Sequence, residues 1–295
     1  MKRFIRHILP PVAAGAVLGA LTVWFLLSRT LALGLIGRRA ETPVPPSGEV
    51  WTLETADGLT LRACAGEAGE GKNWVLLLHG LEGSAGELED LARAYRGRGW
   101  STLIPDLRGS GASGGQYRDL GPGEREDVLA WMERIRVREP GCRIVLHGVG
   151  VGANAALWAS GERPEGLLAV VADSVLPDLW ALGERQLTER FQGRHLLTEW
   201  GASVFTRLCI GYDWASLTLR RQTAGTRAPI LFLHGEGDDL VPADMAASLC
   251  RCAPKGSRLQ LLPCGRGEGF LRERESYLDA VFAFLTGCSG WSQTR

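Results

Sequence analysis

The chain has 295 residues, 45% of them hydrophobic and 22% charged, and a formal net charge of +0. That profile suits one large globular domain with an appendage. Balanced charge, with no basic stripe interleaved with aromatics, excludes nucleic acid as a partner. Seven scattered cysteines offer no zinc spacing, because only Cys250 and Cys252 lie close together. Their odd number argues for a reducing compartment, and no metal and no cofactor is expected.

The chain opens with MKRFIRH and then ILPPVAAGAVLGALTVWFLL, residues 8–27, which carry no charge. About twenty such residues span a bilayer as one helix. The apolar region of a cleaved signal peptide is shorter and ends at a small-residue site, whereas SRTLALGLIGRR resumes the apolar character. A retained, single-pass anchor within residues 1–40 is expected, placing the protein at the cell membrane. Lys2, Arg3 and Arg6 precede the span and Arg29, Arg38 and Arg39 follow it, so the positive-inside bias sets no side. ETPVPPSGE, residues 41–49, reads as a Pro-rich spacer.

From residue 50 onward, apolar strand-like runs alternate with helical patterns. EVWTLET and LTLRACA around ADG predict a hairpin. WVLLLHG, STLIPD, CRIVLHG, LLAVVADS, PILFLHG and RLQLLPC then predict strands. Between them, GELEDLARAYRGRG, REDVLAWMERIRV, ANAALWASGE, ADMAASLCRCA and ESYLDAVFAFL have helical spacing. Apolar strands alternating with helices predict a mostly parallel, eight-stranded sheet covered on both faces, over residues 50–288. The stretch 176–226, rich in Leu, Trp and Arg, leaves from a strand's carboxyl end. Ligands bind at those ends in such sheets, so the insert is expected to roof the site.

Three strands end in His-Gly: His79-Gly80, His147-Gly148 and His234-Gly235. PDLRGSGASGG, residues 105–115, and HGEGDDLVP, residues 234–242, complete an ordered set. Together these segments resemble the α/β-hydrolase superfamily, in particular a bacterial branch of membrane-anchored, serine-aminopeptidase-like hydrolases. The resemblance covers residues 50–287. It implies an α/β-hydrolase fold with a helical cap and a Ser-His-Asp triad.

This chain departs from the triad twice. The nucleophile elbow of the family runs Gly-x-Ser-x-Gly on a strained strand-to-helix turn. Here HGVGVGAN, residues 147–154, keeps Gly148 and Gly152 but has Gly150 at the serine position. The triad acid maps to Asp238, with Asp239 the neighbouring alternative. The triad histidine is expected after the last strand, where Gly265-Arg266-Gly267-Glu268-Gly269 places Glu268. The backbone N–H groups of Leu81 and Val151 map to the oxyanion hole. Asp238 and Glu268 would pair two carboxylates, raising one pKa unless Arg266 or another cation intervenes.

Other residues offer no clear rescue. His79, His147 and His234 read as structural imidazoles at strand ends, His7 precedes the span and His195 lies in the roof. Ser84, Ser110, Ser113 and Ser174 can approach the cleft, but none sits on an elbow. Loss of a triad serine or histidine costs about 10⁶ in turnover in a well-studied protease. The resemblance and its two departures therefore imply a membrane-anchored, catalytically degenerate pseudoenzyme with a binding or regulatory role, taking a small-molecule or peptide ligand in the cleft. Two alternatives stand beside it. One is an active hydrolase of an ester, amide or peptide with a non-standard constellation. The other is a dinucleotide-binding module, because GVGVGA also fits G-x-G-x-x-A and the next strand ends in Asp173.

Overall fold

The structure is a computed structural model and describes residues 2–37, 46–68, 72–81, 83–180, 196–213 and 217–289. Strands β1 (Glu49–Glu54) and β2 (Thr60–Gly66) form the expected hairpin across the Asp57-Gly58 turn. They are followed by β3 (Asn73–Leu78), β4 (Ser101–Pro105), β5 (Arg143–Val149), β6 (Leu167–Asp173), β7 (Ile230–Gly235) and β8 (Arg258–Leu262). The eight strands form one sheet in the order β1-β2-β4-β3-β5-β6-β7-β8. Only the pairings β1–β2 and β2–β4 are antiparallel, so the sheet is mixed at one edge and parallel through its centre.

The central strands are apolar on both faces because both faces are covered. Leu76, Leu78, Ile144, Leu146, Val170 and Phe232 face helices α3 (Pro122–Arg138) and α4 (Val151–Gly161). Their neighbours Val75, Leu77, Val145, Val171 and Leu231 face the opposite layer, which contains α2 (Glu89–Arg96). Helix α5 (Leu196–Ile210) and the short α6 (Arg220–Gly225) come from the 176–226 insert. The remaining helices are α7 (Ala243–Cys250), α8 (Gly269–Arg272) and α9 (Arg274–Ser289), the last packed in the α2 layer. The cysteines are all unpaired, and Cys142, Cys264 and Cys288 are buried among apolar neighbours.

Helix α1 (Lys2–Ile36) runs nine residues beyond the expected end of the span at Leu27. Its stretch Ala14–Gly34, 21 residues of mean hydropathy 1.7, is long and apolar enough to cross a membrane. The pattern SRTLALGLI carries the helix on, and its last turns enter the domain. Ala32 and Ile36 are fully buried in a cluster with Val151, Leu176, Leu179 and Ala202. Arg118 N–H donates to Ile36 O at 2.7 Å, and Gly37 pairs with Tyr117 in an antiparallel bridge. The expected division into anchor, spacer and domain is thus less sharp in space than in sequence. Residues 41–45 of the spacer and 181–195 of the insert lie outside the described residues.

Candidate functional site

Strand β5 and helix α4 meet at Gly150, whose φ of 57° and ψ of −115° place it in a region that L side chains rarely enter. Gly150 N–H donates to Asp173 O at 2.9 Å, and Asn154 N–H donates to Gly150 O at 3.1 Å to begin the helix. A Cβ on Gly150 would have only Arg266 Nη2 and Gly80 Cα within 4 Å, each at 3.9 Å. The turn therefore has room for a side chain and lacks one.

Gly148 and Gly152 are glycine for a different reason. A Cβ on Gly152 would stand 2.3 Å from Leu78 O, and one on Gly148 would stand 2.2 Å from Gly152 C and O. They allow α4 to lie close on the sheet. Asn154 then ties α4 to the start of the cap, donating from Nδ2 to Leu176 O and accepting from Leu176 N–H, both at 3.0 Å.

Asp238 lies three residues beyond β7, with its side chain fully buried. Its Oδ1 accepts the backbone N–H groups of Leu240 at 2.9 Å and Val241 at 2.8 Å. Its Oδ2 is 2.9 Å from Arg266 Nη1. The other amine of that guanidinium, Nη2, donates to Ser174 O at 2.5 Å. Asp239, the neighbouring alternative, is exposed.

Glu268 stands apart from this group. It precedes α8, and its Oε2 accepts Gly265 N–H at 3.0 Å and pairs with Arg272 Nε at 2.7 Å. Arg266, the cation expected to intervene between the carboxylates of Asp238 and Glu268, is the one that pairs with Asp238. Leu81 lies in the turn after β3 and Val151 opens α4. As the first helical residue, Val151 has no backbone partner one turn back for its N–H.

The histidines at the strand ends are structural. Leu107 N–H donates to His79 Nε2 at 3.0 Å, so the ring proton is on Nδ1 and donates to Gly80 O at 2.9 Å. His234 Nε2 donates to Val241 O at 2.9 Å and so supports the loop that carries Asp238. His147 lies inside a buried chain. Tyr95 O–H donates to its Nδ1 at 2.8 Å, and its Nε2–H donates to the Tyr277 oxygen at 2.8 Å. Tyr277 O–H donates to Asp173 Oδ2 at 3.0 Å, and Ser174 O–H donates to Asp173 Oδ1 at 2.8 Å. Gly267 N–H closes the chain onto Ser174 Oγ at 2.9 Å. Burial lowers the His147 pKa to about 3 and raises that of Asp173 to about 6.

This chain removes two candidates. Ser174 is buried, sits at φ 52° and has both hydrogen-bonding roles of its hydroxyl filled. Asp173, sought as a ribose ligand in the dinucleotide reading, is buried under the hydroxyls of Ser174 and Tyr277. His195 lies outside the described residues. A cavity of about 310 Å³ lies at the β2–β4 end of the sheet, lined by Cys64, Ser84 and Asp106 among others, and shares no lining residue with the elbow. Among the described residues, no cluster of His, Cys, Asp and Glu is arranged to hold a metal.

Three features were not legible in the sequence. The Tyr277–Asp173 bond joins residues 104 apart, and no local pattern marks it. The left-handed conformation of Ser174 has no sequence signal. Arg266 was visible as a nearby cation, but its position over Gly150 follows from how the last loop folds.

Strand order, elbow and acid loop define an α/β-hydrolase fold. A family model described as serine aminopeptidase, S33, matches residues 69–179. Similar proteins include an uncharacterized protein of Mycobacterium tuberculosis, 27% identical over 299 residues that cover 94% of this chain and 95% of the relative. Protein bem46 of Schizosaccharomyces pombe is 24% identical over 233 residues, covering 74% of this chain and 72% of the relative. Among solved structures, an esterase of Pyrococcus furiosus superposes with a TM-score of 0.69 at 20% identity, covering 84% of this chain and 97% of that one. The chain has the α/β-hydrolase fold and is similar to these proteins.

Proposed function

We propose that this protein is a membrane-anchored α/β-hydrolase-fold protein that has lost triad catalysis and acts by binding a small molecule or peptide over Gly150. The observation that carries the reading is the Arg266–Asp238 pair beside an elbow without a side chain. A triad needs a hydroxyl at the elbow and an imidazole held by the acid. Here the acid holds a guanidinium, which is always protonated and cannot act as a general base. Each described histidine at a strand end is buried and gives at least one ring nitrogen to a backbone or tyrosine bond, and His234 Nε2, 4.0 Å from Asp238 Oδ2, is bonded to Val241 O.

The amides of Leu81 and Val151 remain as the proposed hydrogen-bond donors of the binding site. The apolar stretch Ala14–Gly34 supports the anchor, being long enough to cross a bilayer. The test is labelling of the purified protein with a fluorophosphonate probe, alongside hydrolysis of a short-chain nitrophenyl ester. No labelled serine and only trace turnover are expected. Stoichiometric labelling of any serine would overturn the reading and favour an active hydrolase with an unusual constellation. The anchor is tested separately by sequencing the mature N-terminus and by fractionation. A mature chain starting beyond residue 30, or a protein recovered as soluble, would remove it.

A further inference from the structure

The exposed apolar side chains of this protein are not spread evenly. Among the described residues, every exposed large hydrophobic side chain belongs to α1 or α5, apart from the scattered Val50, Val137, Leu261 and Leu271. Isolated exposed hydrophobics are normal on a protein surface, whereas a contiguous set marks a contact.

On α5 the exposed residues are Leu197, Trp200, Val204 and Leu208, with Leu197 73% and Leu208 80% accessible. Their spacing of three, four and four puts them on one face of the helix. The opposite face is buried, with Ala202 in the cluster that holds Val151 beside the elbow. The insert therefore has an inward face built for the domain and an outward face that the domain does not cover.

Helix α5 also packs directly on α1. Trp24 Nε1–H donates to Leu197 O at 2.8 Å, and the Trp24 and Trp200 rings stack at 6.2 Å. Phe25 meets Phe205 edge-on at 6.4 Å. Gly201 allows the close approach, since a Cβ there would stand 2.4 Å from Ser28 Oγ. Between Val17 and Leu27, α1 is exposed around most of its circumference, Leu18 and Leu27 lying on opposite sides, so α5 packs on a helix that the domain otherwise leaves bare there.

We propose that the outward face of α5 rests in the lipid bilayer, so that the cap and the cleft behind it are held against the membrane surface. The proposal rests on the reading of α1 as an anchor. A lipid surface fits better than a second copy of the chain because the apolar stretch Ala14–Gly34 of α1, most of it uncovered by the domain, has the length of a bilayer crossing. The stacked tryptophans are the side chains that favour the membrane–water boundary. Arg29 and Arg207, both exposed, lie beside the apolar flank on stems long enough to reach water or headgroups. The end of α1 is held to the domain, since Arg118 donates to both Gly34 O and Leu81 O, and to the cap, since Ile36 is buried with Leu176, Leu179 and Ala202.

The experiment places the photo-crosslinking residue p-benzoylphenylalanine at Leu208, at Leu18 on α1 and at Val137 on α3, one position at a time. Each full-length protein is reconstituted in phosphatidylcholine vesicles, irradiated and analysed by mass. Phospholipid adducts at Leu208 and Leu18, several-fold above Val137, are the expected result. Adducts at Leu18 with none at Leu208 leave the anchor standing and overturn the proposal. Adducts at neither position overturn both. Products joining two chains at Leu208 overturn it in favour of a dimer interface.

Discussion

The Arg266 guanidinium lies 2.9 Å from Asp238 Oδ2 through one amine and 3.9 Å from the point where a Gly150 side chain would begin through the other. One arginine therefore occupies both the acid and the space beside the elbow. Restoring the two missing triad side chains, Gly150→Ser with Glu268→His, leaves that arginine in place. The restored pair is expected to remain near the parent in ester hydrolysis, because a new imidazole at 268 finds Asp238 already paired. Adding Arg266→Ala frees the acid, and turnover of a nitrophenyl ester should then rise by about tenfold or more, since triad members act as a unit. Serine at the strained elbow should cost about 1–3 kcal/mol of stability. A folded triple variant as inert as the parent would show that Asp238 is no longer a latent triad acid.

The same pair has a structural role. Arg266→Met leaves a fully buried carboxylate without its guanidinium partner, with only the His234 imidazole 4.0 Å away, at an expected cost on the order of 3 kcal/mol. Asp238 keeps two backbone donors, from Leu240 and Val241, so the domain should still fold. Asp238→Asn combined with Arg266→Met should be more stable than the sum of the single losses, because the second change removes the unpaired charge left by the first. Unfolding midpoints of the four proteins in detergent measure this coupling, and strict additivity would show that the pair contributes nothing as a pair.

A second buried acid governs the response to alkali. Glu124, in the first turn of α3, is 1% exposed and stands near Asp119 and Asp127, of which Asp127 is paired with Arg108. Burial, and then repulsion from those aspartates, raises its pKa to about 8. A carboxyl whose pKa is raised on folding contributes stability that is complete below the unfolded value and is lost as pH rises through the folded one. Between about pH 5 and pH 9 the wild type should therefore lose on the order of a few kcal/mol relative to Glu124→Gln, which cannot ionise. Parallel melting temperatures of the two proteins across that range would contradict this assignment.

The chain from Tyr95 to Ser174 predicts an asymmetry between two tyrosines. Tyr277→Phe strips partners from both Asp173 Oδ2 and His147 Nε2. Tyr95→Phe strips only His147 Nδ1. Each unsatisfied buried group costs about 1–3 kcal/mol, more when charged. The Tyr277 variant should be the less stable of the two. Its deficit should shrink below about pH 5, where Asp173, with a pKa raised to about 6, carries a proton. Equal losses in the two variants, independent of pH, would indicate ring packing rather than the hydroxyl chain.

What the sequence determined by itself is the frame. The apolar runs WVLLL, RIVL, AVVA and PILFL can only be central strands covered on both faces, since each would otherwise expose a continuous hydrophobic stripe. His-Gly at three strand ends and glycines on either side of Gly150 located the elbow and the acid loop, because those turns depend on local backbone geometry. Local rules also recognised α1 as apolar enough to span a bilayer. Tertiary structure alone decided how the site is filled. Whether Arg266 or Glu268 turns toward Asp238 depends on the path of the loop after β8, and that path is set by contacts with Ser174, 92 residues away from Arg266. The same holds for α1 and α5. Each reads as a helix by itself, but that they pack together through Trp24, Trp200 and Gly201 is a long-range fact. Hydrophobic periodicity says which face of a helix must be covered, and only the folded chain shows by what.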